Sequence, residues 1–245
     1  MAATEKITLI LKTGGTIPAI ARELGDFEDW ICDAMCLPEA QFLCISVFEG
    51  EPLPDITSLS SIVVTGSPAM MTQDLHWIRQ SQEYLLEAIE AELPVLGICF
   101  GHQLLAHALG GKVDWHPAGR EIGTTNVRLT RDAEDDELFA DLIKDFPVHT
   151  THMQTVTKLP AGARVLASNQ FEAHHALRFR KRVWGVQFHP EFDTSIMRGY
   201  IEARSEQLEA EGLSVNEILS AVESTPQAAG LLKKFAEYSR LINSV

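Results

Sequence analysis

The sequence predicts an α/β fold. It calls for a doubly wound, mostly parallel sheet with flanking helices, a small antiparallel meander in the second half and a helical C-terminal tail. Three observations carry this expectation. Up to Gly111, short apolar runs alternate with segments of helical period, the pattern of parallel strands joined by crossover helices. Between Gly111 and Thr194 the apolar runs are short and follow one another closely, as in a meander. From Thr194 onward the chain is glutamate-rich with helical spacing. A length of 245 residues suits one large α/β domain. Residues 1–193 are expected to form it, with residues 194–245 packed on it as an extension.

Taken in order, Ile7 to Leu11 reads as a central parallel strand, ending in the loop Lys12-Thr13-Gly14-Gly15-Thr16-Ile17-Pro18. Acidic residues around Asp26 open a helix whose stripe is Phe27, Trp30, Ile31 and Ala34. Phe42 to Phe48 and Ser61 to Val64 are further strands, the second running into Thr65-Gly66-Ser67-Pro68. A small-residue turn at a parallel strand's carboxyl end is where open α/β sheets bind ligands. Thr72 is expected to cap a helix striped with Leu75, Ile78, Leu85, Leu86 and Ile89. After Gly111, Gly123 to Thr130 reads as an antiparallel strand and Asp135 to Ile143 as a short acidic helix. Three short strands follow around Val165, Leu177 and Trp184. Arg178 to Arg182 reads as a solvated basic turn, and the tail breaks near Gly212 and Thr225-Pro226.

Composition is ordinary for a globular chain, at 45% hydrophobic and 22% charged residues. A formal net charge of −14 argues against a non-specific nucleic-acid binder or a partner for anionic lipid. No apolar run reaches membrane-spanning length, and the N-terminus shows no basic and apolar leader pattern. Cys32, Cys36, Cys44 and Cys99 form no C-x-x-C pair. Reduced cysteines, a cytoplasmic location and the absence of a metal site are the expectation.

The chemistry is concentrated around Gly97-Ile98-Cys99-Phe100-Gly101-His102-Gln103. A buried strand, a cysteine between glycines and a following helix match the nucleophile elbow, with sulfur in place of oxygen. The helix N-terminus would favour thiolate. From this stretch alone a buried structural cysteine is an equal alternative. Gly185-Val186-Gln187-Phe188-His189-Pro190-Glu191 supplies what a nucleophile needs: an imidazole, and a carboxylate that holds its far nitrogen.

Together, the two motifs resemble the class I glutamine amidotransferase family, in its GMP-synthetase-glutaminase-like branch, over roughly residues 6 to 193. The resemblance implies a triad of Cys99, His189 and Glu191. It also implies an oxyanion hole from the backbone amides of Ser67 and Phe100, in which Gly66-Ser67-Pro68 carries serine where the family has a second glycine. Gly66, Gln103, Thr151 and His152 are implied substrate contacts. The implied substrate is glutamine or another γ-glutamyl compound, with no cofactor, and the ammonia would go to an acceptor or to a synthetase on another chain. Two other readings stand beside this one. The same triad would serve a stand-alone γ-glutamyl peptidase or amide hydrolase, and a non-enzymatic protein could retain the fold. The tail could cover the sheet edge, form a homodimer contact or dock a partner. Separately, Thr13-Gly14-Gly15-Thr16-Ile17 is similar to a stretch near the start of bacterial-type asparaginases. That reading would make a threonine the nucleophile, but no second asparaginase-like T-D-T or T-H-G-T segment is present, and a Gly-rich structural turn is the favoured account.

Overall fold

The computed structural model describes residues 6–36 and 38–243. Residues 1–5, where a leader pattern was sought, lie outside the described residues. The first half alternates as expected: β1 (Ile7–Lys12), α1 (Pro18–Leu24), α2 (Phe27–Met35), β2 (Phe42–Ser46), β3 (Leu59–Val64), α3 (His76–Glu90), β4 (Val95–Ile98) and α4 (Phe100–Ala108). The second half holds β5 (Lys112–Trp115), β6 (Glu121–Leu129), β7 (Asp145–His152), β8 (Gln154–Lys158), β9 (Arg164–Ser168), β10 (Ala176–Arg180) and β11 (Val183–Val186). The tail is α5 (Thr194–Ala203), α6 (Ser205–Ala210), α7 (Val215–Ser220) and α8 (Pro226–Asn243).

Nine strands form one sheet in the order β2-β1-β3-β4-β11-β10-β9-β6-β7. The pairs from β2 through to β11 are parallel, and those from β11 to β7 are antiparallel. A separate ribbon pairs β5 with β8. Parallel strands covered on both faces read as continuous apolar runs, and side-chain alternation sorts them into two cores. Ile10, Val63, Leu96, Ile98, Trp184 and Val186 share one core with α2 and α8. Leu9, Leu11, Ile62, Val64 and Val95 share the other with α3 and α4. A third cluster joins Phe27 and Trp30 of α2 to Phe192 and to Ile196, Met197, Tyr200 and Ile201 of α5.

Asp26 caps α2 as its sequence suggests. Its Oδ1 accepts from the Phe27 N–H at 2.8 Å, and Asp29 accepts from the Asp26 N–H at 2.9 Å. Three local expectations fail for identifiable reasons. Thr72 does not cap α3, because its hydroxyl accepts from Gln154 Nε2 at 2.9 Å and the helix starts after Leu75. Residues 135–143 form turns rather than a helix. There the Asp136 carboxylate is buried, accepting from the Leu138 N–H, from Trp184 Nε1 and from Arg178. Arg178 therefore leaves the solvated turn expected of it: it pairs with Asp136 and Glu137, and its guanidinium sits 4.4 Å from the Trp184 ring centroid.

Candidate active site

β4 delivers the chain into Cys99, whose φ of 50° and ψ of −99° lie outside the regions open to ordinary residues. Such a conformation costs roughly 1–3 kcal/mol and persists only where its surroundings enforce it. The Cys99 N–H donates to the Val186 carbonyl at 2.8 Å, and the Gln103 N–H donates to the Cys99 carbonyl at 3.2 Å. Glycines let strand and helix meet: a Cβ on Gly97 would run into the Gly101 carbonyl, and one on Gly101 would lie 2.5 Å from the Val64 carbonyl oxygen. Cys99 thus stands at the N-terminus of α4, where the first N–H groups, including that of Phe100, have no acceptor within the helix.

β11 lies parallel to β4, so its carboxyl end falls beside Cys99. Just beyond it, His189 Nδ1 lies 2.7 Å from Glu191 Oε1. The ring is stacked on Phe192 and Phe27, at centroid distances of 4.1 and 6.2 Å. Nε2 has no hydrogen bond of ordinary geometry among the described residues. Burial opposes a charge on this ring, but the Glu191 carboxylate and then Cys99 outweigh it, and the pKa of His189 is pushed up to about 10.

The third wall is the loop after β3. Gly66 lies against His189, where a Cβ would come within 3.0 Å of Cε1. The Thr13 hydroxyl is 3.1 Å from the Thr65 carbonyl and 3.0 Å from the Gly66 carbonyl, fastening the loop to the end of β1. The Ser67 hydroxyl donates to the Thr13 carbonyl at 2.7 Å. Ser67 is not among the residues of positive φ, so serine occupies the family's glycine position without left-handed backbone.

Cys99, Ser67, Thr151 and His189 line one cavity of about 270 Å³, together with Thr16, Phe27, Tyr200 and Arg204. The other sequence-predicted residues surround it without lining it. Gln103 Nε2 donates to the Gln154 carbonyl at 2.8 Å and to Gln187 Oε1 at 3.0 Å, and Gln187 Nε2 in turn donates to Cys99 Sγ at 3.6 Å. The His152 side chain turns away to Glu121 Oε2, 3.0 Å from its Nε2. Thr151 faces the site, its carbonyl 3.8 Å from Cys99 Sγ. The Phe100 ring is buried against Trp77, leaving only its backbone for the site.

Sequence reasoning assigned no place in this site to Gln187, Phe27, Tyr200 or Arg204, and gave Thr16 one only in the asparaginase-like reading. Only Gln187 carried a usable signal, as a lone amide between two apolar residues at the end of a buried strand. The threonines of the Gly-rich loop are structural in their contacts: Thr13 holds the Gly66 loop, and the Thr16 hydroxyl lies 2.5 Å from that of Tyr200. Among the described residues no group of three His, Cys, Asp or Glu side chains is placed to hold a metal ion, and no helix is long and apolar enough to cross a membrane.

Comparison with known proteins identifies the family. The family model for glutamine amidotransferase class-I matches residues 44–205. The chain belongs to that family. This class I amidotransferase is 34% identical to a glutamine-hydrolysing GMP synthase subunit of Archaeoglobus fulgidus, over 62% of this chain and 79% of that protein. It is 37% identical to the GMP synthase of Porphyromonas gingivalis, over 59% of this chain but only 28% of that protein. Among solved structures, a glutamine amidotransferase of Thermotoga maritima superposes with a TM-score of 0.76 at 22% identity, covering 95% of this chain and 97% of that one. One from Methylobacillus flagellatus gives 0.74 at 22% identity, covering 99% and 96%. These two likenesses establish the fold.

Proposed function

We propose that this amidotransferase hydrolyses the side-chain amide of glutamine through a thioester on Cys99. The observation that carries the reading is the convergence of a thiol, an imidazole and a buried carboxylate at one cavity, with the thiol on a strained turn. His189 holds the proton given up by Cys99, and the sulfur attacks the amide carbon. The oxyanion that forms meets the backbone N–H groups of Phe100 and Ser67. His189 then returns the proton to the departing nitrogen, and ammonia leaves. Water, activated by the same imidazole, attacks the thioester carbon to release glutamate and restore the thiol. Glu191 holds Nδ1 and keeps the ring basic enough for both transfers. Gly66, Gln103, Thr151 and His152 support the substrate, Gln103 through its relay to Gln187 and the last two through backbone groups.

The ammonia acceptor in this reading is a synthetase on a separate chain. Support comes from the resemblance to the GMP synthase subunit of A. fulgidus, most of whose length this chain matches. Residues 1–193 act as the amidotransferase unit of a cytoplasmic protein, and residues 194–245 pack on it. The test is release of glutamate and ammonia from glutamine by the isolated chain, run beside a panel of γ-glutamyl peptides. A glutamine-mimicking electrophile should label Cys99. Unlabelled Cys99 would reject the mechanism. Fast peptide turnover with negligible glutaminase activity would replace glutamine as the substrate.

A further inference from the structure

The end of α5 lines the same cavity as Cys99. Tyr200 and Arg204 sit one helical turn apart there and both line the cavity. The Tyr200 hydroxyl is fixed by Thr16 at 2.5 Å, and the Arg204 guanidinium rests on the Tyr200 ring, 4.9 Å from its centroid. The guanidinium is therefore held in place, yet its Nη1 is buried and has no hydrogen-bond partner among the described residues. The nearby carboxylate of Glu211 is already engaged, accepting from Arg120 Nε at 2.8 Å and Nη2 at 3.0 Å. In a chain with 34 acidic and 20 basic side chains, this guanidinium lines the cavity without an acid partner among the described residues. An unpaired buried charge is costly, and an anionic ligand compensates it. A guanidinium is also the side chain whose fork of donors matches a carboxylate.

The geometry points to Arg204 as the anchor for a carboxylate of the substrate, holding it in the cavity that Cys99 also lines. The inference rests on the proposed cysteine hydrolase reading and adds a substrate class to it: γ-glutamyl compounds that carry a free carboxylate. Two sources share this chemistry, the α-carboxylate of the γ-glutamyl unit and a carboxylate on the leaving group. Burial lowers the pKa of Arg204 and Arg120 adds like charge, while Tyr200, Cys99 and Glu211 oppose the change. An arginine so placed remains a cation at neutral pH.

The experiment compares the wild-type chain with Arg204→Gln and Arg204→Lys on four probes: glutamine, glutamine α-amide, γ-glutamylglycine and γ-glutamylglycinamide. Wild type should prefer an acid over its amide by roughly 10- to 100-fold in kcat/KM, the scale of one hydrogen bond to a charged group. The glutamine pair reads the α-carboxylate, and the glycine pair reads the leaving group. Arg204→Gln should abolish that preference, and Arg204→Lys should retain part of it. Alkylation of Cys99 by iodoacetamide, which is uncharged, is measured for each variant without a probe; it supplies that variant's own reference rate and shows that the site is folded. Protection of Cys99 from iodoacetamide by the same four probes repeats the comparison without turnover. Equal protection and equal kcat/KM for acid and amide in the wild type would overturn the role of Arg204 and leave the hydrolase reading standing. Preferential protection by the acids without hydrolysis would reject the hydrolase reading and retain Arg204. An equal loss on acid and amide in Arg204→Gln would also overturn the proposal, making the residue structural.

Discussion

Replacing Glu191 with glutamine tests the electrostatics of the site directly. The carboxylate lies 2.7 Å from His189 Nδ1 and is the main influence raising the ring from 6.5 to about 10 against the cost of burial. At about 1.4 kcal/mol per pH unit, the balance is on the order of several kcal/mol. With an amide in its place, burial dominates and the ring is neutral near pH 7. The neutral ring no longer has a proton to give the departing nitrogen, and kcat should fall roughly 10²- to 10⁴-fold. The alkaline limb of the kcat/KM profile, set in the wild type by loss of the His189 proton near pH 10, should move to lower pH. Stability follows the same sign. A folded-state pKa above the unfolded value contributes stability in full below about pH 6.5, and that contribution is lost as pH rises through about 10. Melting curves from about pH 6 to 10 should therefore show the wild type losing an advantage that Glu191→Gln never has. A variant with an unmoved alkaline limb and a near-normal rate would refute the reasoning.

Four further outcomes are expected. Cys99→Gly and Cys99→Ala should both be inactive, with the glycine variant more stable by roughly 1 kcal/mol in urea melts, because glycine relieves the backbone at φ 50°. Asp136→Ala should cost roughly 3–5 kcal/mol, since it strips Arg178 of its buried partner and Trp184 Nε1 of its acceptor; a loss under about 1 kcal/mol in denaturant titration would show that Glu137 suffices. Thr13→Val should slow turnover by freeing the Gly66 loop, while mass spectrometry still finds the electrophile on Cys99; label on a threonine would revive the asparaginase-like reading. Glu121 is held below the usual carboxylate range, because hydrogen bonds from His152 and His175 overcome its burial. The resulting stability is present above about pH 4.5 and falls away in acid, so Glu121→Gln should be less stable than wild type at about pH 7 and approach it as pH drops.

The parallel half of the fold was legible because strands buried on both faces leave unbroken apolar runs such as Ile7 to Leu11 and Ser61 to Val64. The grouping of Cys99 with His189 and Glu191 was legible because local sequence prepares it: glycines flank Cys99, and Glu191 is two residues from His189. The wall formed by α5 was not. Tyr200 and Arg204 lie on a helix whose stripe of Ile196, Met197 and Ile201 looks like any core-facing helix, and nothing local shows that its end turns toward a cysteine about a hundred residues earlier. The segment 135–143 misled for a related reason. Its helical composition is outweighed by distant partners, Arg178 and Trp184, that claim the Asp136 carboxylate.

The last helix also bears on how the chain is made. Ala228, Leu231, Leu232, Phe235 and Ala236 of α8 seal the face of the sheet formed by Ile10, Val63 and Leu96, and Asn243 Nδ2 reaches the Ser60 carbonyl at 3.1 Å. As the polypeptide leaves the ribosome, β1 waits for a helix more than two hundred residues further along the chain to cover it. Until that helix emerges, the oily surface is open to chaperones and to neighbouring nascent chains. A premature stop before α8 would leave the triad residues in the chain and yet release a protein prone to stick to others.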